Sequence, residues 1–244
     1  ILIDSVLFSK SISTKQAKGL IEKLRKLSSK YFNAKVAHVS NLPELSRTVN
    51  KQAMYSLDVI NDAISEKKKI SFIYNDIGTD FKLHPRREQE YIVNPYQIVA
   101  NNGKFYLISN YDRYDNVAHF RIDRMTEVKM LPEAIKPMKK VPELANGLNL
   151  PKHMAEHIYM FSGESVDTVL LADKSQMNEL VDWLGSDFRI LEENEKELKI
   201  KIRMNPVAMK YWALQYGPFV EVLEPVELRN EIRDSITKML DKYI

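Results

Sequence analysis

Residues 90–130 read EYIVNPYQIVANNGKFYLISNYDRYDNVAHFRIDRMTEVKM. They contain three short runs rich in valine, isoleucine, phenylalanine and tyrosine, separated by polar turns at residues 101–103 (Asn-Asn-Gly) and 112–116. Asn-Gly between alternating apolar runs is a strong hairpin signal, because both residues tolerate a positive φ. The stretch therefore predicts a β-meander.

Two more strands and a helix are predicted in front of the meander. Residues 51–66 predict a helix with a buried face at Met54, Leu57, Ile60, Ala63 and Ile64. Strands follow at residues 70–74 and 80–84, with a turn at residues 76–78. One helix and five short antiparallel strands indicate a small barrel or sandwich.

Three motifs in the quoted stretch resemble those of the WYL-domain family. Residues 105–107 (FYL) stand where the family has Trp-Tyr-Leu, residues 95–99 (PYQIV) match its proline-aromatic lead-in, and residues 120–125 (FRIDRM) match its F-R-L-D-R-I ending. Two departures are Phe105 in place of tryptophan and Tyr91 where the family often has a basic residue. The resemblance implies an SH3- or Sm-like barrel in a bacterial transcription regulator, with a winged helix-turn-helix domain in front.

The last 80 residues predict a second domain of different design. Their pattern gives strand, helix, two strands, helix, strand and a final helix, which is the split ferredoxin-like βαββαβ arrangement with an added helix. Residues 216–232 (YGPFVEVLEPVELRNEI) also resemble the C-terminal extension that often follows WYL domains. Trp183 and Trp212 lie on the predicted helices as core residues.

The first 50 residues predict a helical connector. Ser13 is placed to cap a helix over residues 14–28, whose apolar positions are Leu20, Ile21, Leu24 and Leu27. No second helix with a polar recognition face follows at once, so these residues do not form a DNA-reading helix-turn-helix. Residues 33–50 read as irregular, with a turn at residues 41–43.

The predicted chain is therefore an α+β protein in four parts. Residues 1–50 are the helical connector, residues 51–131 the WYL-type barrel with its leading helix, residues 132–163 a proline-punctuated linker with short helices, and residues 164–244 the C-terminal α+β domain. The DNA-binding domain that the resemblance implies is not among them.

Charge is distributed unevenly along the chain. Residues 1–161 carry 25 Lys and Arg against 17 Asp and Glu, a net +8, while residues 162–244 carry 11 against 16, a net −5. A polyanion would bind the front more readily than the rear, although two ordinary solvated surfaces would look the same. With no cysteine and no apolar run of the roughly 20 residues that span a bilayer, we expect a cytoplasmic protein without a membrane segment.

Tyr106, Arg121 and Arg124 are the leading candidates for ligand binding. A guanidinium suits two-point capture of a phosphate or carboxylate, and a tyrosine beside it can stack on a base. Side-chain alternation would put Arg121 and Asp123 on one face and Arg124 on the other, unless the strand bends or bulges there. The alternative is an internal Arg–Asp bridge on a small barrel; the family resemblance favours ligand binding.

Tyr74, Lys82 and His84 are second-rank candidates. Lys82 and His84 alternate with Phe81 and Leu83, so they should face away from the core, near Arg86 and Arg87. This basic cluster is either a groove for a polyanion or a strand edge protected by charge.

An enzymatic alternative rests on residues 153–157 (HMAEH), which match the H-x-x-E-H zinc-peptidase pattern. His153 and His157 would share one helix face, but the short helix between prolines favours two surface histidines without a metal. No Gly-rich phosphate loop is present, so no nucleotide cofactor is expected.

Together these features predict the effector-sensing and dimerisation part of a transcription regulator rather than an enzyme. The barrel would bind an anionic effector, either nucleotide-like or a short single strand of nucleic acid, without cofactor or metal. The effector would modulate DNA binding by the absent winged helix domain, most simply in a homodimer. The alternatives are a zinc hydrolase through His153 and His157, and a protein–protein interaction module without a small ligand.

Overall fold

The computed structural model describes residues 2–27 and 48–244, which divide into two units. The first unit includes the described residues up to Asp115 together with His119–Lys140, and the second includes Asn116–Ala118 together with Val141–Ile244. Both mix helices with antiparallel strands. No helix within the described ranges is long and apolar enough to cross a membrane.

Two helices open the first unit. Helix α1 spans Leu2–Phe8 and α2 spans Thr14–Lys26, and Ser13 caps α2 in a capping box with Gln16, as predicted. The apolar face of α2 is narrower than predicted: Ile21 and Leu24 pack against the buried Ile3, whereas Leu20 is exposed and Leu27 is 86% exposed. The predicted irregular segment and its turn fall almost entirely outside the described residues.

The link between α1 and α2 is hydrogen-bonded to the first hairpin. Ser11 Oγ accepts the backbone N–H of Phe105 at 2.9 Å and donates to the carbonyl of Gly103 at 3.2 Å. The Lys10 N–H also donates to Gly103, and Lys104 Nζ donates to the carbonyl of Lys10. The connector helices are therefore fixed to the hairpin turn by four hydrogen bonds.

Replacing Ser11 with alanine should loosen this attachment. The variant removes two partly buried hydrogen bonds, which is worth about 1 kcal/mol of local stability. Amide hydrogen exchange at Phe105 measures the effect, and we expect several-fold faster exchange than in the unchanged protein. Ser5→Ala, which changes an exposed serine of α1, is the control; equal acceleration in both variants would show that Ser11 has no special role.

A helix and six strands complete the first unit. Helix α3 spans Ala53–Glu66 and is followed by β1 (Lys68–Ile77), β2 (Leu83–Pro85), β3 (Tyr91–Asn101), β4 (Lys104–Asn110), β5 (Val117–Arg121) and β6 (Met125–Ala134). The sheet order is β2-β1-β3-β4-β5, with β6 paired to β1, and the antiparallel sheet curls into a half-barrel. The predicted hairpin is confirmed: Asn102 and Gly103 have φ of 49° and 72° between β3 and β4.

Three local predictions for this unit were wrong. Helix α3 buries Leu57, Ile60 and Ala63 as predicted, but at its start it leaves Met54 exposed and buries Ala53 and Ser56 instead. The strand predicted over residues 80–84 is only Leu83–Pro85, because Phe81 has a φ of 59° and is 78% exposed in a tight turn. Strand β6 continues to Ala134, beyond the predicted barrel end, because its pairing with β1 reaches Lys68.

The end of the first unit is tied to β3 by buried polar side chains. Asn94 is fully buried; its Oδ1 accepts the Lys136 N–H at 2.9 Å and its Nδ2 donates to Asp112 at 2.9 Å. The Tyr96 hydroxyl donates to the Lys136 carbonyl at 2.8 Å. The backbone of Lys136 is therefore held on both sides, two residues after β6 ends.

The second unit has the predicted order of elements. Helix α4 (Leu150–Glu156) is followed by β7 (Val166–Asp173), α5 (Met177–Leu184), β8 (Arg189–Glu193), β9 (Glu197–Met204), α6 (Pro206–Gln215), β10 (Val220–Glu224) and α7 (Val226–Leu240). The sheet order is β10-β7-β9-β8, with all neighbours antiparallel. Trp212 is 1% exposed in the core, whereas Trp183 is only partly buried and donates to the Tyr216 hydroxyl at 3.0 Å.

Candidate functional site

The half-barrel contains a cluster of four aromatic rings. Phe72 and Tyr74 lie two residues apart on β1 and therefore share one face, and they meet Tyr91 of β3 and Phe120 of β5. Ring centroids are 5.1–6.3 Å apart, in stacked and edge-on contacts. These four rings form an aromatic floor, and Arg86 and Arg87 lie against it.

Two arginines after β2 lie against rings of this floor. The Arg86 guanidinium is 4.9 Å from the centre of the Tyr74 ring and binds both carboxylate oxygens of Asp76, at 2.9 and 2.7 Å. The Arg87 guanidinium is 3.6 Å from the Tyr91 ring and donates to the carbonyls of Gln89 and Glu90. Both cations are held in place by cation–π contacts together with hydrogen bonds.

Arg121 is held by a short turn that interrupts the strand. Residues Ile122–Arg124 form one 3₁₀ turn, which brings Asp123 back beneath Arg121. Two guanidinium N–H groups of Arg121 donate to Asp123, at 3.1 and 2.8 Å, and Lys104 Nζ donates to the same carboxylate at 3.1 Å. The predicted internal Arg–Asp bridge is present, and three N–H groups of Arg121 remain for other partners.

The pKa of the Asp123 carboxyl reflects two opposing effects. Burial alone would raise this pKa, because the side chain is only 5% exposed. The hydrogen bonds and positive charges of Arg121 and Lys104 outweigh burial and hold the pKa below its ordinary value. The carboxylate is therefore ionised at neutral pH and fixes both cations.

Arg124 is less tightly paired than Arg121. Its only ion pair among the described residues is with Asp76, at 3.7 Å, which is outside normal hydrogen-bond length. Its Nε is enclosed and has no hydrogen-bond partner among the described residues, while about a quarter of the side chain is exposed. Arg124 therefore carries guanidinium donors that the described structure does not use.

Tyr106 and Tyr74 complete the group. Burial raises the pKa of Tyr106, and the charges of Arg121, Asp123 and Arg124 act on its hydroxyl. The Tyr74 hydroxyl accepts the backbone N–H of Arg121 at 3.2 Å, and burial raises its pKa as well. Both phenols are neutral at pH 7, so they can stack or hydrogen-bond without adding negative charge.

The structure thus brings together four of the six predicted residues: Tyr74, Tyr106, Arg121 and Arg124. Lys82 and His84 are exposed on the tight turn before and within β2, and the His84 ring is 2.9 Å from Asp80. Both face away from the core as predicted, but the alternation with Phe81 was wrong, because Phe81 has a positive φ and is itself exposed. Within the described ranges, no hydrogen bond or ion pair joins either residue to the other four.

Two parts of the chain match models of known domain families. The WYL domain model matches residues 56–130, and the WCX domain model matches residues 164–240. The chain contains a WYL domain and a WCX domain. The first match contains the floor and all four gathered site residues, and the second contains the sheet β7–β10.

A curated relative and two solved structures are similar to this chain. The chain is 23% identical over 185 residues to the uncharacterized HTH-type transcriptional regulator YobV of Bacillus subtilis, covering 75% of this chain and 54% of that protein. It thus spans about half the length of this curated relative. The crystal structure of a CRISPR Cas-related protein matches with a TM-score of 0.50 and 16% identity, over 83% of this chain and 55% of the other. Proteasome accessory factor B/C of Arthrobacter aurescens matches at 19% identity with a TM-score of 0.36, over 80% and 28%.

Sequence reasoning missed part of the WYL-domain site. Asp76 was assigned to a turn, yet it lies in β1 and pairs with both Arg86 and Arg124. Tyr91 was noted only as a departure from the family, whereas its ring supports Arg87. The available signal was that Arg86 and Arg87 lie between Tyr74 and Tyr91 in the sequence. The pairing of Asn75 with Pro85, which brings the arginines to these rings, is not encoded locally.

The sequence predicted that the paired histidines lie on the surface, and this prediction was wrong. His153 lies on α4 and His157 is the residue after its last turn; both are buried, and their rings stack with centroids 4.3 Å apart. Burial, with a smaller contribution from His157, lowers the pKa of His153 to about 4. His153 is therefore neutral at physiological pH.

Proposed function

We propose that this chain is the sensing part of a transcription regulator and that its WYL domain binds an anionic ligand. The ligand is a nucleotide-like molecule or a short single strand of nucleic acid. The WYL and WCX matches, with the similarity to an HTH-type regulator, support a regulatory rather than an enzymatic role. The observation that carries the ligand proposal is the partly exposed Arg124 guanidinium, whose donors are unused beside neutral tyrosines.

Each gathered residue has a distinct role in this proposal. Arg124 captures the anion, because its weak 3.7 Å contact with Asp76 leaves its donors open. Arg121 contributes its remaining N–H groups from a position fixed by Asp123. Tyr106 stacks on a base or donates its hydroxyl, and Tyr74 holds the backbone of Arg121. Lys82 and His84 are peripheral, at most extending the positive potential for a longer strand.

A chain of contacts offers a route from the ligand to the connector helices. Arg121 and Lys104 share the Asp123 carboxylate, and Lys104 Nζ also donates to the carbonyl of Lys10. A ligand that draws Arg121 away from Asp123 changes the hold on Lys104 and thus on the link between α1 and α2. Differential affinity for the two arrangements would then bias the winged helix domain of the complete protein.

Homodimerisation is part of the same proposal. Two-fold DNA sites are read by paired subunits, which is the usual arrangement of such regulators. The net negative charge of residues 162–244 suits the WCX domain to contacts with a basic surface of a second subunit. Sedimentation of the complete protein, with and without ligand, measures whether it is a monomer or a dimer.

Ligand binding is tested by titrating labelled single-stranded oligonucleotides and nucleotides at low and moderate salt, followed by fluorescence anisotropy. Phosphate-driven binding must weaken steeply as salt rises. We expect Arg124→Gln to weaken binding at least tenfold, while Arg113→Gln, which removes an exposed arginine stacked on Tyr114, changes it less than twofold. Equal losses in the two variants would place the binding outside the proposed site. Binding that ignores salt would overturn the anionic-ligand proposal.

The finer fold assignments are proposals as well. The curled six-stranded sheet supports an SH3- or Sm-like barrel, and the order β10-β7-β9-β8 with antiparallel neighbours supports the ferredoxin-like arrangement. The division at residues 50, 131 and 163 is supported by the domain matches at residues 56–130 and 164–240. The zinc-hydrolase alternative stays a prediction that metal analysis of the purified protein, with and without His153→Ala, would test.

A further inference from the structure

A cavity of about 640 Å³ lies in the WYL domain between strands β1, β2 and β6. Its apolar wall is formed by Ile73, Leu83 and Pro85, and Tyr106, Arg121 and Arg124 do not line it. The volume is within the range of about 300–1,000 Å³ that is usual for small-molecule sites. The proposed anion-binding function makes no use of this cavity.

Asn75 presents an unused acceptor to the cavity. The side chain is 3% exposed, and its Nδ2 donates to the Arg124 carbonyl at 2.9 Å and to Thr126 Oγ1 at 3.0 Å. Both amide hydrogens are thereby engaged. Within the described ranges no donor reaches Oδ1, so a carbonyl oxygen on a nearly buried side chain is available to a ligand with an N–H group.

Glu127 lines the cavity and has a strained backbone conformation. It sits in a bulge of β6, where Ser71 pairs with Lys129 and Ile73 pairs with Thr126, and its φ is 53°. A non-glycine residue in this conformation costs free energy, and such strain concentrates at functional sites. Its N–H donates to Gln52 Oε1 at 3.2 Å, which fixes the bulge to the start of α3.

The charged groups around the cavity favour a cation. Glu88 and Glu127 supply two carboxylates against one guanidinium, that of Arg87. Arg87 is committed to two backbone carbonyls and to the Tyr91 ring, so it is poorly placed to receive an anion. The cavity therefore combines two carboxylates, one buried carbonyl acceptor and an apolar wall.

We propose that this cavity binds a small organic ammonium compound, an alkyl diamine or polyamine. One ammonium group donates to Asn75 Oδ1 and pairs with Glu127, the alkyl stem lies on Ile73 and Leu83, and a second ammonium group pairs with Glu88. Inorganic cations lack the stem, and uncharged alcohols lack the charge. The site is thus selective for a compound that has both.

The test is calorimetric titration of the unchanged chain with 1,4-diaminobutane and spermidine, with magnesium chloride and 1-butanol as controls. We expect saturable binding of the amines alone. Glu127→Asn should weaken it at least tenfold, because asparagine keeps the left-handed backbone but removes the charge. Glu88→Gln should weaken it several-fold, and Glu66→Gln, an exposed carboxylate of α3 outside the cavity, should not change it.

A second measurement separates a defined site from diffuse attraction. The side-chain amide signals of Asn75 should shift in NMR spectra as the amine is added, and Arg124→Gln should leave that shift intact. The amine-binding proposal therefore does not depend on the anion-binding proposal. Equal weakening by Glu66→Gln, an unmoved Asn75 signal, or the same heat with magnesium would overturn it. Binding only of lysine-rich peptides and not of free amines would also overturn it.

Discussion

Asp123→Ala is expected to lower the free energy of unfolding of the WYL domain by about 3 kcal/mol. Asp123 is nearly buried and accepts two hydrogen bonds from Arg121 and one from Lys104. Removing the carboxylate leaves two partly buried cations facing each other without an anion, which is the costly way to break an ion pair. Urea unfolding, followed by the ring signals of Tyr74 and Tyr91, measures the loss.

An exposed ion pair of the same unit provides the control. Asp115 pairs with Lys136 at 3.3 Å, but its side chain is exposed. Asp115→Ala should therefore change the unfolding free energy by less than about 0.5 kcal/mol. Comparable losses in the two variants would show that the burial of Asp123 adds nothing.

The same carboxylate gives the WYL domain an acid-sensitive component of stability. The pKa of Asp123 in the folded state is lower than its value in the unfolded chain, so the unfolded state binds the proton more readily. The stabilisation is complete above the unfolded pKa, near 3.8, and is lost as the pH falls through the folded-state pKa. As the pH falls below about 4, Asp123→Asn should flatten the decline of the unfolding free energy; an unchanged decline would contradict this assignment.

Trp212→Ala is expected to have the largest effect in the WCX domain, a loss of about 3–5 kcal/mol. The ring is 1% exposed, packs against Tyr216 at 5.2 Å between centroids, and is among the largest fully buried side chains. Its removal leaves a cavity that the sheet and helices around it fill only in part. Urea unfolding monitored by the fluorescence of Trp183, the second of the two tryptophans, reports on this domain.

Trp212→Phe separates the packing of the ring from its polar N–H. The indole Nε1 is buried without a hydrogen-bond partner in the described part of the chain, so phenylalanine removes an unpaired donor while keeping most of the apolar volume. We expect a clearly smaller loss than with alanine. Equal losses would mean that the indole N–H is satisfied in solution, by water or a neighbouring group.

Features set by neighbours in sequence were predictable. The Asn102–Gly103 turn needs only two residues that accept a positive φ, and the Ser13 cap needs only a hydroxyl and a glutamine three residues later. Helix α6 starts where local chemistry places it, because the Asn205 side chain accepts the Ala208 N–H and Pro206 occupies the first turn. Each of these signals acts within a few residues.

Features set by distant partners were not predictable. The alternation argument for Arg121 and Arg124 left open whether the strand bends, because the 3₁₀ turn there includes Asp123, which bonds Lys104, 19 residues away. The role of Asp76 depends on the register between β1 and β2, which no local pattern encodes. Three of the four gathered residues, Tyr106, Arg121 and Arg124, were found because the family motifs contain them, not because periodicity marks them.

The hydrogen bonds that Asn94 and Tyr96 make to Lys136 set a practical limit on how the WYL domain can be expressed alone. A recombinant fragment ending at residue 130, where the family match stops, would cut β6 short and deprive two buried side chains of their partners. Such a fragment should precipitate or bind dyes that detect exposed apolar surface. One that ends at residue 140 retains every one of these partners.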